Sequence, residues 1–208
     1  MIPAKPGQNR ADTKRAALRR RLRAARRALP VELARRHATD VARRFCASKI
    51  ALRGRRFAGY VASDGELDPA EIIDRLLDRR RTVALPVVLR SRALCFYRYT
   101  PQTRMVQNRF DILEPDTTAG TYIPTTALDV VLVPLVAYDE RGHRLGRGGG
   151  FYDATFARLS RRPLLVGLAH ALQRVARLDA GDWDVPLDAV VTENGVEPFT
   201  ARGRTAAR

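Results

Sequence analysis

The apolar run Val130-Val131-Leu132-Val133-Pro134-Leu135-Val136-Ala137, followed shortly by Arg144-Leu145-Gly146-Arg147-Gly148-Gly149-Gly150-Phe151-Tyr152-Asp153, constrains this chain more than any other stretch. A short apolar run bounded by turn residues is a strand buried on both faces, and the residues after the glycines have helical spacing. A buried strand, a glycine loop and a helix start together imply α/β layering. They also make a place for phosphate. Backbone N–H groups at a helix N-terminus lack helical partners, and glycine lets an anion approach them closely. Arg144 and Arg147 add positive charge to this loop, and Asp153 adds a hard oxygen ligand.

The same alternation recurs along the chain. Over 11–29, Leu18, Leu22, Ala25 and Leu29 form an apolar helical stripe, with Arg15, Arg19 and Arg26 on its flank. Pro30 opens a second helix over 31–47. Asp68 and Pro69 start another, whose buried face is Ile72, Ile73, Leu76 and Leu77. Strands are expected at 56–62, 82–88, 93–99, 129–138 and 163–169, with a last strand at 188–192. A helix is expected over 151–160 and a turn over 182–186, while 101–126 reads as irregular. Helices between apolar strands give an α/β fold: a single layered domain over 11–199, with a central, largely parallel sheet flanked by helices. Residues 1–10 are expected to be a flexible arm and 200–208 a flexible tail. In such sheets ligands gather beyond the carboxyl ends of the strands, where the glycine loop falls.

Charge raises a different possibility. The 208 residues carry a formal net charge of +16, which favours anionic partners, nucleic acid among them. Yet only Lys5, Lys14 and Lys49 are lysines, so the basicity is arginine spread along the chain, as codon composition can produce. Cys46 and Cys95 have no metal-binding spacing and only three histidines to join them, so no zinc pattern is expected and they read as reduced thiols. No apolar run approaches the roughly 20 residues that span a bilayer, and the N-terminus has no apolar signal core. A cytoplasmic protein is expected.

The glycine loop fails two common nucleotide templates. A Walker loop needs a lysine that is absent here, and a dinucleotide fingerprint needs glycine where Phe151 stands. Arg144 through Asp153 instead closely resembles the signature of the 5-formyltetrahydrofolate cyclo-ligase (5,10-methenyltetrahydrofolate synthetase) family. Supporting matches between Lys14 and Asn194 are the basic first helix, Glu66 after the first strand, Leu85-Pro86-Val87, Glu114-Pro115 and Asp188-x-Val190-Val191-Thr192.

This resemblance implies the α/β cyclo-ligase (CoA-transferase-like) fold and ATP- and magnesium-dependent conversion of 5-formyltetrahydrofolate, polyglutamylated or not, to 5,10-methenyltetrahydrofolate, in a monomer. It implies that Arg15 and Arg19, with Lys14 beside them, contact ATP from the first helix. Arg144, Leu145, Gly146, Arg147, Gly148, Gly149, Gly150, Phe151 and Tyr152 would cradle its phosphates. Val61, Glu66 and Arg147 through Phe151 would hold the folate, with Arg147 and Tyr152 as catalytic residues. Asp153 and Asp188 would bind magnesium. Gly149 stands where some members have lysine, Phe151 where tyrosine is commoner, Asp111 where glycine is frequent and Trp183 where histidine is frequent. His143 and His170 read as structural. Two other readings stay open at this stage: a basic nucleic-acid-binding protein, against which the chain shows few aromatics for base stacking, and an enzyme of the same fold acting on another metabolite.

Overall fold

The computed structural model describes residues 6–181 and 183–207. The chain opens with α1 (Pro6–Arg27), α2 (Val31–Ala47) and α3 (Lys49–Arg53). Pro30 separates the first two, because it has no N–H to donate and its fixed φ suits a helix entry. Then come β1 (Arg56–Ala58), α4 (Ala70–Asp78), β2 (Thr82–Val88), β3 (Leu94–Tyr99), β4 (Met105–Gln107), β5 (Leu113–Pro115) and β6 (Tyr122–Ile123). The second half holds β7 (Val130–Pro134), β8 (Ala137–Tyr138), β9 (Arg144–Leu145), α5 (Phe151–Phe156), β10 (Leu164–Leu168), β11 (Ala189–Thr192), β12 (Gly195–Pro198) and α6 (Ala201–Ala207).

Eight strands join one sheet in the order β12-β11-β10-β7-β1-β2-β3-β6. From β11 to β2 the pairings are parallel. Antiparallel strands border them: β12 on one side, β3 and β6 on the other. The largely parallel sheet expected from the sequence is therefore present. Its middle strand shows why the run at 130 is unbroken. Val130 and Leu132 pack with Phe45, Ile72 and Leu76 of α2 and α4, while Val131 and Val133 pack with Phe96, Phe156 and Leu187. Successive side chains point to opposite faces, and both faces are covered. Each such fully buried side chain contributes roughly 1.5–3 kcal/mol. Among the described residues, no helix is long and apolar enough to cross a membrane.

Several local expectations change. Of the arm expected over 1–10, residues 6–10 are helical, and 1–5 lie outside the described residues. The expected tail is the docked helix α6. Thr200 Oγ1 donates to Asp188 Oδ1 at 2.7 Å and accepts the Gly203 N–H at 3.0 Å. A Cβ at Gly203 would lie 2.0 Å from the Asp188 carbonyl oxygen, so the glycine is what allows this approach. The strand expected over 56–62 stops at Ala58, and the chain turns through Asp64 (φ 56°) and Gly65 (φ 71°). The helix expected over 151–160 stops at Phe156. The stretch read as irregular contains the β4–β5 hairpin and β6, and β12 follows the strand read as last. Of the turn at 182–186, Asp182 lies outside the described residues.

On α1 the apolar stripe is rotated from the expected one. Ala25 is exposed, and Arg26, only 2% exposed, takes an inner position one turn beyond buried Leu22. A buried guanidinium needs partners from elsewhere in the chain, and they come from the candidate site.

Candidate functional site

A cleft of about 380 Å³ opens beyond the carboxyl ends of β1, β2 and β7. One wall is the loop after β1 with Tyr60, Val61 and Glu66. The opposite wall is the glycine loop with Arg144, Arg147, Phe151, Tyr152 and Asp153, and the β4–β5 hairpin supplies Asn108, Phe110 and Ile112.

The first wall is built around Arg26. Its Nε donates to the Asp64 carbonyl at 2.8 Å, its Nη2 to Asp64 Oδ2 at 2.8 Å, and its Nη1 to the Leu135 carbonyl at 3.1 Å. Arg23 Nε adds a 2.7 Å bond to Asp64 Oδ2. Burial alone would raise the Asp64 pKa, but hydrogen bonds from Arg23 and Arg26 hold it below the ordinary value. Glu66 is 3.8 Å from Arg26 Nη2, and its side chain is 5% exposed. Burial pushes its pKa up, with Arg26 opposing, and the Ser63 N–H donates to it at 3.2 Å. Glu66 is thus a desolvated carboxylate facing the cleft with little hydrogen bonding of its own.

The second wall is open. Arg147 through Gly150 are exposed, and Gly148 (φ 112°) and Gly150 (φ 68°) occupy backbone conformations that favour glycine. Arg19 Nε donates to the Gly146 carbonyl at 2.9 Å, which seats α1 on this loop. Burial and neighbouring Arg15 lower the Arg19 pKa, so an anion placed here would relieve an existing electrostatic cost. Arg147 Nη1 reaches across the cleft to Ser63 Oγ at 2.6 Å. Phe151 meets Phe110 edge to face at 5.5 Å, and the Arg109 guanidinium lies 5.0 Å from the Phe110 ring. Burial, and then Glu66, push the Tyr152 phenol well above its ordinary pKa.

Most residues expected at the site come together here: Val61, Glu66, Arg144, Gly146, Arg147, Gly149, Gly150, Phe151, Tyr152 and Asp153 all line the cleft, with Arg19 and Gly148 beside it. Others are placed differently. Leu145 is 1% exposed and packs with Leu22, Val136 and Leu178. Lys14 is exposed, and Arg15 is drawn to Asp184 Oδ2 and the Asp179 carbonyl, both at 3.1 Å.

The expected two-carboxylate magnesium pair is not assembled. Asp153 Oδ1 accepts from Arg144 Nη2 at 2.6 Å and from the Val185 N–H at 3.0 Å. Asp188 is fully buried just before β11, at the amino end of the strand. Its Oδ2 accepts from Arg162 at 2.6 Å and the Leu165 N–H at 3.0 Å, and its Oδ1 from Thr200. Asp188 therefore ties β10, β11 and α6 together, and its donors satisfy it without a cation.

Sequence reading missed Arg23, Arg26 and the hairpin. Arg23 continues the four-residue spacing of Arg15 and Arg19, so a signal existed. Arg26 carried none, since one more arginine in a basic helix reads as solvated. In the hairpin, Asn108 Oδ1 accepts the Phe110 and Ile112 N–H groups at 2.9 and 3.3 Å, and its Nδ2 donates to Glu114 at 2.9 Å. An asparagine-centred loop of this kind has no periodicity to read.

Comparisons with known proteins place the chain in a family. The model of the 5-formyltetrahydrofolate cyclo-ligase family matches residues 11–193. The 5-formyltetrahydrofolate cyclo-ligase of Escherichia coli K12 is 39% identical over 178 residues, covering 84% of this chain and 98% of that protein. The enzyme of the same name from Haemophilus influenzae is 40% identical over 138 residues, covering 65% of this chain and 74% of its own. The solved structure of Aquifex aeolicus 5,10-methenyltetrahydrofolate synthetase superposes with a TM-score of 0.78 at 30% identity, covering 89% of this chain and 92% of that one. A 5,10-methenyltetrahydrofolate synthetase from Mycoplasma pneumoniae shares the fold at a TM-score of 0.69 and 20% identity, covering 86% of this chain and 98% of its own.

Proposed function

This chain belongs to the 5-formyltetrahydrofolate cyclo-ligase family, and we propose that the cleft between its glycine loop and its Glu66 loop is where it makes 5,10-methenyltetrahydrofolate from 5-formyltetrahydrofolate and ATP. The observation that carries this placement is Arg147, which stands on the glycine loop and bonds Ser63 on the opposite wall. One guanidinium there can touch both substrates.

In this reading the pterin lies between Phe151, Phe110 and Val61, and its N–H groups donate to the desolvated Glu66 carboxylate. The ATP phosphates lie along Gly146–Gly150, with Arg19 and Arg147 supplying charge-assisted hydrogen bonds. The formyl oxygen attacks the γ-phosphorus as the bond to the β–γ bridging oxygen breaks, and ADP leaves. The N10 nitrogen then adds to the activated formyl carbon and gives up its proton. Finally the carbon–oxygen bond breaks, releasing phosphate and leaving the methenyl bridge. Both steps depend on alignment and on neutralising charge at the phosphoryl oxygens, which suits a site of arginines and backbone N–H groups. Tyr152 keeps its proton at neutral pH, so it acts as a hydrogen-bond donor rather than a base.

A magnesium ion fits the glycine-loop side, where a carboxylate at the lip of the cleft would be joined by phosphate oxygens and water. Asp153 would hold it through Oδ2, since Oδ1 serves Arg144 and Val185. The ion would neutralise charge on the β- and γ-phosphates. We do not assign Asp188 to it.

Purified protein given 5-formyltetrahydrofolate, ATP and magnesium should produce the absorbance of the methenyl product, one ADP for each. Product formed equally well without ATP, or none with it, would overturn the proposal.

A further inference from the structure

We infer that His37, His170 and Glu193 form a second metal site, away from the cleft, that takes one divalent ion of borderline softness such as Zn²⁺. One donor atom from each lies within 4.8 Å of the others, and among the described residues this is the group of three that could hold an ion. His37 lies on α2, His170 two residues past the end of β10, and Glu193 directly after β11. An ion here would clip α2 to the carboxyl ends of two neighbouring parallel strands.

The separations are those of a coordination shell. His37 Nδ1 is 3.0 Å from His170 Nδ1 and 3.5 Å from Glu193 Oε1. Ligands about 2.0–2.1 Å from a tetrahedral zinc ion sit about 3.3–3.4 Å from each other; the 3.0 and 3.5 Å separations bracket that spacing, and His170 and Glu193 lie within 4.8 Å of each other. Without an ion the two rings share a hydrogen bond in which either nitrogen can donate; an ion between them would replace that proton and draw in Glu193.

Neighbouring groups fix the donors in position, as outer partners of metal ligands do. The Ala171 N–H donates to both Glu193 carboxylate oxygens at 3.0 Å. Gln173 Oε1 accepts the His170 backbone N–H at 2.8 Å while its Nε2 donates to the Leu135 carbonyl at 2.7 Å. The His170 ring shares a hydrogen bond with the Gly65 backbone. His170 also lines an open groove along α2, between Ala34, Ala38 and Leu67, and His37 and Glu193 are partly exposed, so solvent reaches the group's surroundings. Arg26 faces His170 and opposes a cation; its own ion pairs with Asp64 and Glu66 reduce that opposition. Two imidazoles and one carboxylate suit zinc and its neighbours, whereas magnesium prefers oxygen ligands throughout. Because the His170 ring touches Gly65, the residue before Glu66, an ion here would also stiffen the wall of the folate cleft.

The test uses the full chain, stripped with chelator and titrated with Zn²⁺ and separately with Co²⁺. One ion per chain should bind, the cobalt form should show the visible absorbance of four-coordinate Co²⁺, and millimolar Mg²⁺ should not compete. His37→Ala and Glu193→Gln, at partly exposed positions, should each weaken binding by about 100-fold or more while folding normally by circular dichroism. Zn²⁺ should raise the wild-type melting temperature and leave both variants unmoved. No stoichiometric binding by the wild type, or unchanged affinity in His37→Ala, would overturn the site. Should His37→Ala fold poorly, His37→Gln gives the same readout.

Discussion

The two walls of the cleft are built by opposite means. The Glu66 wall is made in advance: Arg26 is buried, Asp64 accepts from two arginines, and Glu66 is desolvated before any substrate arrives. The glycine wall is exposed from Arg147 to Gly150, and the helix behind it has six residues. The difference matches what each must hold. In the proposed reading, a flat, weakly charged pterin would be recognised by a fixed carboxylate. A triphosphate would bring its own charge, so a site for it can be left open and polar. The price of the first design is stability tied up in buried charge, and that is where the two walls separate most clearly under mutation.

The largest effect is expected from Arg26→Met. It leaves the buried Glu66 carboxylate without its arginine, while Asp64 keeps Arg23 and Arg27, and should cost about 3–5 kcal/mol in urea denaturation. A loss below about 1 kcal/mol would mean the wall is not held by this residue. On the other side, Arg147→Ala should leave the melting temperature near wild type and reduce kcat/KM roughly 10–100-fold, the equivalent of one charged hydrogen bond. If instead it unfolds the protein, the open wall is structural after all. Asp153→Asn should raise the magnesium concentration needed for half-maximal rate by roughly tenfold. Asp188→Asn should lower stability and leave that magnesium dependence unchanged, and the opposite pattern would restore Asp188 as a ligand. Phe110→Ala should raise the KM for folate by about 2–10-fold with kcat nearly unchanged, as expected for one aromatic contact.

The smallest effect at neutral pH is the titration of Glu66, which shows only on acidification. Its folded pKa lies above the ordinary 4.5 because of burial, with Arg26 opposing. The carboxylate is therefore lost at a higher pH than a surface glutamate, and the folate KM should rise on acidification before pH 4.5 is reached. The same sign means that its ionisation costs stability as pH rises through that window. Glu66→Gln should abolish the rise in KM, and a rise that persists in the variant must come from another group.

What the sequence disclosed follows from which residues carry positional meaning. The strand at 130 and the glycine loop were legible, because an uninterrupted valine-rich apolar run and consecutive glycines each have few structural uses. Val61 and Glu66 were reached only through resemblance to a family, since a lone loop acid says nothing by itself. Arg26 was invisible because burial is a tertiary property, and its inward turn depends on the Asp64 loop 38 residues away. Asp188 carried the opposite error. A carboxylate in a matching motif looked available, and only the positions of Arg162, Leu165 and Thr200 reveal that it is satisfied. Gly149 and Phe151 gain from being read together. A Cβ at 149 would lie 2.4 Å from the Phe151 ring, so this ring occupies space that a lysine at 149 would need.

The most direct test of the preformed wall is calorimetric titration of the protein with 5-formyltetrahydrofolate in the absence of any nucleotide. Saturable binding at one site, weakened by at least tenfold in Glu66→Gln and little changed in Asp153→Asn, is the result this structure predicts. Binding that appears only after a non-hydrolysable ATP analogue is added would contradict it, and would mean that the folate wall is assembled by the nucleotide.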